Sequence, residues 1–240
     1  MNHSLAQKDP EFVKTTFASI SSRYDFANHL LSGGLDFYWR AHVAKKVASL
    51  RPQFVLDLAT GSGDLAVAIK KTYPRASVAA ADFCLPMLHQ ARKKGVRNLL
   101  QADALALPFD DQTFDVVTVA FGLRNMASWP DALQEMARIL VPGGTLLILD
   151  FSLPENAIIR TIYRFYLHRI LPAVAGWATR RPEAYQYLGD SIEEFPSGHA
   201  MNSLMRSSGF ICQPARPFTF GIVSLYCGKT KAKGPLEARK

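Results

Sequence analysis

Cysteine is scarce in this chain. Cys84, Cys212 and Cys227 are the only three in 240 residues, too few and too scattered for a disulfide framework or a zinc site. They read as plain core or near-surface residues. Long apolar runs are missing as well: no window reaches the about 18 consecutive apolar residues of a spanning helix. The opening stretch Met1–Pro10 lacks the apolar core of a signal peptide, so cytoplasmic residence is the expectation. Internal repeats and low-complexity linkers are absent. With a hydrophobic fraction of 48% and a charged fraction of 20%, wholesale disorder is excluded, and one domain over residues 1–240 is expected.

Acids are the minority charge. The net charge of +8 is uneven: Ile158 to Pro182 holds Arg160, Arg164, Arg169, Arg180 and Arg181 without an acid. The tail adds Lys229, Lys231, Lys233, Arg239 and Lys240 against a lone Glu237. Such fields favour an anionic surface, either lipid headgroups or nucleic acid. Solubility accounts for the tail equally well.

What is present is a nucleotide-binding pattern. Val55-Leu-Asp-Leu-Ala-Thr-Gly-Ser-Gly-Asp-Leu65 reads as a buried strand breaking into a glycine turn and then a helix. A second apolar run ends at Asp82, 21 residues after Gly61. Glycines let a backbone approach a ligand closely, and an acid ending the second strand can accept both hydroxyls of a ribose. An adenosine-containing ligand is therefore expected near residues 57 to 82.

Around this unit, strands and helices alternate. Strand candidates are Phe54–Leu58, Ser77–Asp82, Leu99–Ala102, Phe114–Phe121 and Thr145–Phe151. Helical candidates between them are Asp64–Thr72, Pro86–Lys94 and Trp129–Leu140. This order predicts a parallel sheet with right-handed crossovers. Residues 11–49 read as helices interrupted by the turn Ser32-Gly33-Gly34, and residues 155–208 as helices broken at Pro172, Pro182 and Pro196. Two last runs, Phe210–Pro214 and Ile222–Cys227, are expected to pair antiparallel and close one sheet edge, with Ala215–Gly221 as the loop between.

Gly61-Ser62-Gly63-Asp64-Leu65-Ala66 also satisfies the dinucleotide fingerprint G-x-G-x-x-A, so a nicotinamide or flavin enzyme competes. Three features favour S-adenosylmethionine (SAM). Asp57 ends the first strand, where it would repel a pyrophosphate but could hold an ammonium. Asp103-Ala104 ends the third strand, where an adenine amino group needs an acceptor. The closing antiparallel pair is unusual for a dinucleotide sheet.

On these residues the chain resembles a class I SAM-dependent methyltransferase, with a Rossmann-like, mostly parallel seven-stranded sheet, helices on both faces and a C-terminal antiparallel pair. More closely it is similar to the UbiE/MenG family of quinone-biosynthesis C-methyltransferases, from about Val13 to Lys229. The likeness rests on Phe17–Asn28 with Leu35, Trp39 and Arg40; on Asp103–Asp115; and on Phe121-Gly-Leu-Arg-Asn-Met126, Tyr185–Ile192 and Gly221–Gly228. The resemblance implies SAM as cofactor, with Ser62 in the glycine turn, Asp82 at the ribose and Asp103-Ala104 at the adenine. Asp57, Gly61 and Gly63 complete that site. Ala120 stands where some relatives carry a serine, so only its backbone can make that contact. The turn is Thr60-Gly-Ser62 where some members have Gly-Gly-Thr.

The implied acceptor is a lipid-tailed quinol, either demethylmenaquinol or a ubiquinol precursor, and the Gly221–Gly228 ending favours the former. Residues 155–208 would cover the acceptor site, and a homodimer is compatible with the family. Methylating a ring carbon needs an electron-rich ring and no metal, so the protein supplies position, a proton path and charge stabilisation. Arg124 and Asn125 follow the fourth strand and are the catalytic candidates, Arg124 stabilising a phenolate directly or through water. An arginine cannot serve as an ordinary base. The alternative for Arg124 is a structural pairing with an acid such as Asp131. Tyr24, Asp25, Asn28, Tyr185 and Tyr187 are candidates for lining the acceptor pocket. The basic, aromatic-rich segment 157–171 is a candidate for contact with the inner face of a membrane, against the plainer reading of a helix packed on the sheet.

Competing functions lack their marks. Exocyclic-amine nucleic-acid methylases carry Asn/Asp-Pro-Pro-aromatic after the fourth strand, where this chain has Gly122-Leu-Arg-Asn125. Cytosine C5 enzymes need Pro-Cys, but Cys84 lies between Phe83 and Leu85. No nucleic-acid partner is expected.

Overall fold

The computed structural model describes residues 32–172 and 182–232, without the side chains of residues 182–186. The candidates Tyr24, Asp25, Asn28 and the Tyr185 side chain lie outside the described residues, as do Arg180, Arg181 and the tail from Lys233.

The elements, in chain order, are α1 (Leu35–Leu50), β1 (Phe54–Leu58), α2 (Asp64–Thr72), β2 (Ser77–Asp82), α3 (Leu85–Lys93), β3 (Leu99–Gln101), β4 (Phe114–Ala120), a 3-10 turn (Leu123–Asn125), α4 (Trp129–Ile139) and β5 (Leu140–Phe151). There follow α5 (Ala157–Phe165), running on into a π-helical turn (Tyr166–Ile170), then α6 (Pro182–Glu194), α7 (His199–Ser207), β6 (Ile211–Cys212), β7 (Arg216–Phe218) and β8 (Val223–Lys229).

One sheet runs in the order β3-β2-β1-β4-β5-β8-β6, with β7 also on β8. Strands β1 to β5 are parallel, and β8 is antiparallel to β5, with Leu147 opposite Cys227. The expected closure is therefore present with two differences. Strand β8 lies inside the edge, between β5 and the outer strands, and the stretch read as a loop contains β7. Strands β6 and β7 share one edge of β8, at Lys229–Gly228 and at Leu225–Val223, so the seventh position of the sheet is a strand broken in two. Pro214 lies between the two halves, and a proline is confined to sheet edges because it has no N–H for the ladder.

Strand β5 also starts earlier than Thr145. Leu140 already pairs with Phe114, and the register shifts before Val116 meets Thr145. Gly143, at φ +79, permits that irregularity.

Apolar side chains on both sheet faces explain the layering. Trp39, Val43 and Val47 of α1 pack with Leu65 and Ile69 of α2 on one face. Leu133, Met136 and Ile139 of α4 pack with Met201 and Met205 of α7 on the other. Burial on both faces suits the near-continuous apolar runs of β1, β4 and β5. Ser128 caps α4, accepting from Asp131 N at 3.4 Å, and Asn156 caps α5 through the N–H groups of Ile158 and Ile159. A third, small cluster of Tyr163, Leu167, Leu171 and Ile192 joins α5, its π-helical turn and α6.

Candidate active site

Strand order reverses between β1 and β4. At such a switch point the loops diverge, leaving a crevice at the carboxyl ends of the strands. A cavity opens there, and its walls bring together Asp57, Gly61, Ser62, Asp82, Asp103, Ala104, Ala120 and Asn125. Gly63 is not on the wall. It has φ +85, and a Cβ there would meet Ala91 Cβ and Val96 Cγ2 at 2.9 Å, so it lets α2 start against α3.

Asp57 is buried at the end of β1. Thr60 Oγ1 donates to its Oδ2 at 2.6 Å, and Thr118 Oγ1, from the neighbouring β4, donates to its Oδ1 at 2.8 Å. Burial nonetheless dominates and pushes its carboxyl up to about 6, with the hydroxyls and Arg40 pulling back. Asp82 ties the glycine turn down: Gly61 N and Cys84 N each donate to its carboxylate at 2.8 Å. Burial raises its pKa as well. Each carboxylate oxygen has two lone pairs, so acceptor capacity remains for ligand hydroxyls. Asp103 accepts from Leu105 N at 2.9 Å, an Asx turn that holds the loop after β3. The Ser62 hydroxyl accepts from Lys94 Nζ at 3.0 Å, and Lys94 also pairs with Asp64.

A second, larger cavity of about 560 Å3 adjoins the first. Arg40 and Phe121 line both and form the wall between them. Its other walls are largely apolar, from Trp39, Phe151, Ile159, Ile162, Tyr163, Leu167, Leu188 and Ile222, with Ser32, Asp36, Arg124, Tyr166 and Thr219 as polar members. Phe121 has φ +60, a conformation costing a bulky residue about 1–3 kcal/mol. It is held by its N–H on Leu149 O at 2.7 Å and by Arg124 Nη1 on its carbonyl at 2.6 Å.

Arg124 lines this second cavity rather than the first, and Asn125 lines the first. The acid that pairs with Arg124 is not Asp131, which sits in the first turn of α4. It is Asp150, fully buried on β5, whose Oδ1 accepts from Arg124 Nη1 at 2.7 Å. Burial raises the Asp150 carboxyl, and Arg124 opposes that shift. No local pattern marks this pair, because the pairing of β4 with β5 brings the two together across 26 residues. Asn125 Oδ1 accepts from Tyr187 OH of α6 at 3.2 Å, which links the helical segment to the site.

The model of the ubiE/COQ5 methyltransferase family matches residues 4–230. The chain belongs to this family. A demethylmenaquinone methyltransferase of Thermus thermophilus is 43% identical to it, over 88% of this chain and 98% of the relative. A ubiquinone/menaquinone biosynthesis C-methyltransferase UbiE of Geobacter sulfurreducens is 40% identical, over 93% and 90%. Among solved structures, a SAM-dependent methyltransferase from Thermotoga maritima superposes with a TM-score of 0.65 at 19% identity, covering 90% of this chain and 99% of that one. The last likeness shows the class I methyltransferase fold.

SAM is the cofactor of this methyltransferase, and the first cavity fits it. Among the described residues, four acids line that cavity, Asp57, Asp64, Asp82 and Asp103, against the one cation Arg40. A pyrophosphate would meet net repulsion there; a ligand carrying a sulfonium and an ammonium, without phosphate, would meet attraction. Asp57 is raised because it is desolvated, and a bound ammonium would relieve that. No group of three or more potential metal ligands occurs among the described residues. Sequence reasoning missed Asp36, Asp150 and Thr118; only the Trp39-Arg40 pair pointed toward the wall between the cavities.

Proposed function

We propose that this methyltransferase converts demethylmenaquinol to menaquinol, placing a methyl group on a ring carbon of a polyprenylated quinol. The observation that carries the reading is the large apolar cavity that shares Arg40 and Phe121 with the cofactor cavity. The apolar walls of such a cavity suit a fused ring and the start of an isoprenoid tail. The names of the relatives support the ring system, since those of Thermus thermophilus and Deinococcus radiodurans are demethylmenaquinone methyltransferases. The Geobacter relative's name covers both quinones, so the ubiquinone-pathway ring is the second reading.

SAM, when bound, supplies an electrophilic methyl group. The chain's residues do the rest: Asp57 for the ammonium, Asp82 for the ribose hydroxyls, Asp103 and Ala104 for the adenine, Gly61, Ser62, Gly63 and Ala120 shaping the turn and wall. Arg124 places its guanidinium at the acceptor side, where positive charge favours a phenolate. Its charge is already shared with Asp150, so it acts as an oriented donor more than as a full counter-charge. Asn125, tied to Tyr187, orients the junction.

We place the protein in the cytoplasm at the inner membrane face, as one domain whose residues 155–208 cover the acceptor cavity. No helix among the described residues is long and apolar enough to cross a membrane. Helix α5 and its extension instead expose Ile158, Ile162, Phe165 and Ile170 beside Arg160, Arg164 and Arg169, and Ile162 is also on the cavity wall. A lipid tail could pass from an anionic bilayer into the cavity along that face.

The test is radiolabelled methyl transfer from SAM to demethylmenaquinol and to a ubiquinol precursor, in one detergent. Label in the first and less in the second is expected. Label in the second alone reverses the choice of ring, and label in neither overturns the reading.

A further inference from the structure

Among the described residues, neither Arg124 nor Asn125 can take the proton of the quinol. Methylation at carbon goes faster from a quinol whose hydroxyl is losing its proton, because the oxygen then feeds electron density to the ring. Arg124 cannot take that proton. Asp150 is fully buried against Arg124 and is not on the cavity wall. Burial raises the phenols of Tyr163 and Tyr166, so they keep their protons and act as donors.

We propose that Asp36 accepts the quinol hydroxyl proton, held in place by Arg40 and Ser32. Among the described residues it is the only carboxylate lining the acceptor cavity. It is buried at the start of α1, accepts from Ser32 Oγ at 2.8 Å and is ion-paired with Arg40 one turn on. Arg40 is at once the partner of Asp36 and part of the wall shared with the cofactor cavity, its guanidinium 5.3 Å from the centroid of the Phe121 ring. The base therefore stands at the junction where ring and methyl must meet. Because the geometry is fixed by a helix turn, the carboxylate is oriented before the acceptor arrives.

In the step, the quinol O–H bond breaks and its proton goes to a carboxylate oxygen of Asp36. The electron pair left on oxygen moves through the ring, and the ring carbon forms its bond to the methyl group while the methyl's former bonding pair stays on sulfur. The hydrogen on that carbon then leaves to water as a proton, its bonding pair restores the aromatic ring, and Asp36 returns its proton to the oxygen. Arg40 orients the Asp36 carboxylate through its ion pair. The same arrangement selects redox state. A carboxylate only accepts hydrogen bonds, so it welcomes a quinol hydroxyl and repels a quinone carbonyl.

The proposal rests on the quinol reading above, and the experiment separates the two. If the unsubstituted protein labels no quinol, the quinol reading fails; if it does and Asp36 proves dispensable, only this proposal fails. Turnover of Asp36→Asn is expected to fall about a hundredfold, with S-adenosylhomocysteine affinity changed by less than about threefold. Its residual rate should climb with pH, as solvent ionises the hydroxyl in place of Asp36. Among the described residues the charged and titratable groups around that hydroxyl are Arg40, the ion-pair partner of Asp36, and Arg124, Tyr163 and Tyr166, which line the same cavity. Asp36→Glu should recover part of the loss. A quinol with a more acidic, fluorinated ring should narrow the gap between Asp36→Asn and the unsubstituted protein. Turnover of Asp36→Asn within about threefold of the unsubstituted protein, or a gap indifferent to ring acidity, overturns the assignment. Should that variant not fold, the unsubstituted protein answers alone: with S-adenosylhomocysteine bound, calorimetry should show 1,4-naphthoquinol binding at least about tenfold tighter than 1,4-naphthoquinone. Equal affinity overturns it.

Discussion

The two cavities meet at Arg40 and Phe121 but are built differently. The cofactor cavity comes chiefly from short loops after four strands, between Asp57 and Ala127, and its polar work is done by carboxylates and backbone N–H groups. The acceptor cavity is gathered from α1, the ends of β4 and β5, α5, α6 and the turn before β8, and its wall is mostly side-chain apolar surface. The first is fixed by the sheet that carries it. The second depends on helices that pack on the sheet and on one another, joined by the small cluster around Tyr163 and Leu167. On the proposed reading, a constant ligand is thus recognised by loops carried on the sheet, and a lipid-tailed one by walls assembled from distant segments.

This contrast yields predictions, the largest first. Arg124→Ala should destabilise the fold by about 3–5 kcal/mol, because it leaves Asp150 charged and unpaired in the interior; urea unfolding measures this. The loss should be much smaller when Asp150 is replaced by Asn at the same time. If single and double variants unfold alike, the pair does not anchor the acceptor side.

Asp82→Asn tests the other region. Losing charged acceptors at the glycine turn should weaken S-adenosylhomocysteine binding by about 1.5–3 kcal/mol, roughly tenfold or more. Quinol-analogue binding should stay within a few fold. An equal loss of both ligands would dissolve the separation between the cavities.

Asp57 gives the cofactor side a pH signature. Its carboxyl lies near 6 in the folded protein without ligand, against 3.8 ordinarily. An ammonium ligand needs the ionised form, so affinity should fall as pH drops through about 6, and be about tenfold weaker at pH 5 than at pH 7. Binding near pH 6 should release protons, read as a buffer-dependent heat in calorimetry. Stability has the opposite sign: a raised pKa favours the fold below 3.8, and that contribution is lost as pH rises through about 6. In Asp57→Asn the slope of affinity with pH should flatten, leaving only what Asp82, also raised by burial, contributes.

The smallest effect on catalysis is expected at the outer face of α5. Ile158 and Phe165, 72% and 60% exposed, replaced together by Asp, should abolish flotation with anionic vesicles. Turnover of a short-tailed, detergent-dispersed quinol should change by less than about twofold. Vesicle binding that survives the change would remove α5 as the membrane face.

The legibility of the sequence follows the same division. Strands β1 and β2 and helix α2 were readable to the residue, since an apolar strand, a glycine turn and an amphipathic helix are local patterns. Asp57, Asp82 and Asp103 were legible as candidates for that reason: each lies at or within two residues of the end of a strand. The split of the edge into β6 and β7 was missed, because three residues around Pro217 carry too little alternation to mark a strand. Arg124 was found but given the wrong acid. The candidate Asp131 was near in sequence, whereas Asp150 is its neighbour only through the pairing of β4 with β5.

By itself the sequence determined the strand–turn–helix order, the acids at the strand ends and, through its motifs, the methyl donor. These depend on hydrogen bonding and side-chain periodicity within about ten residues. Tertiary structure alone decided that Arg124 would be neutralised by Asp150, that Arg40 would line both cavities, and that Asp36 would line the second. Those outcomes depend on which distant surfaces pack together. Burial in a shared core fixes that choice, and no local pattern records it.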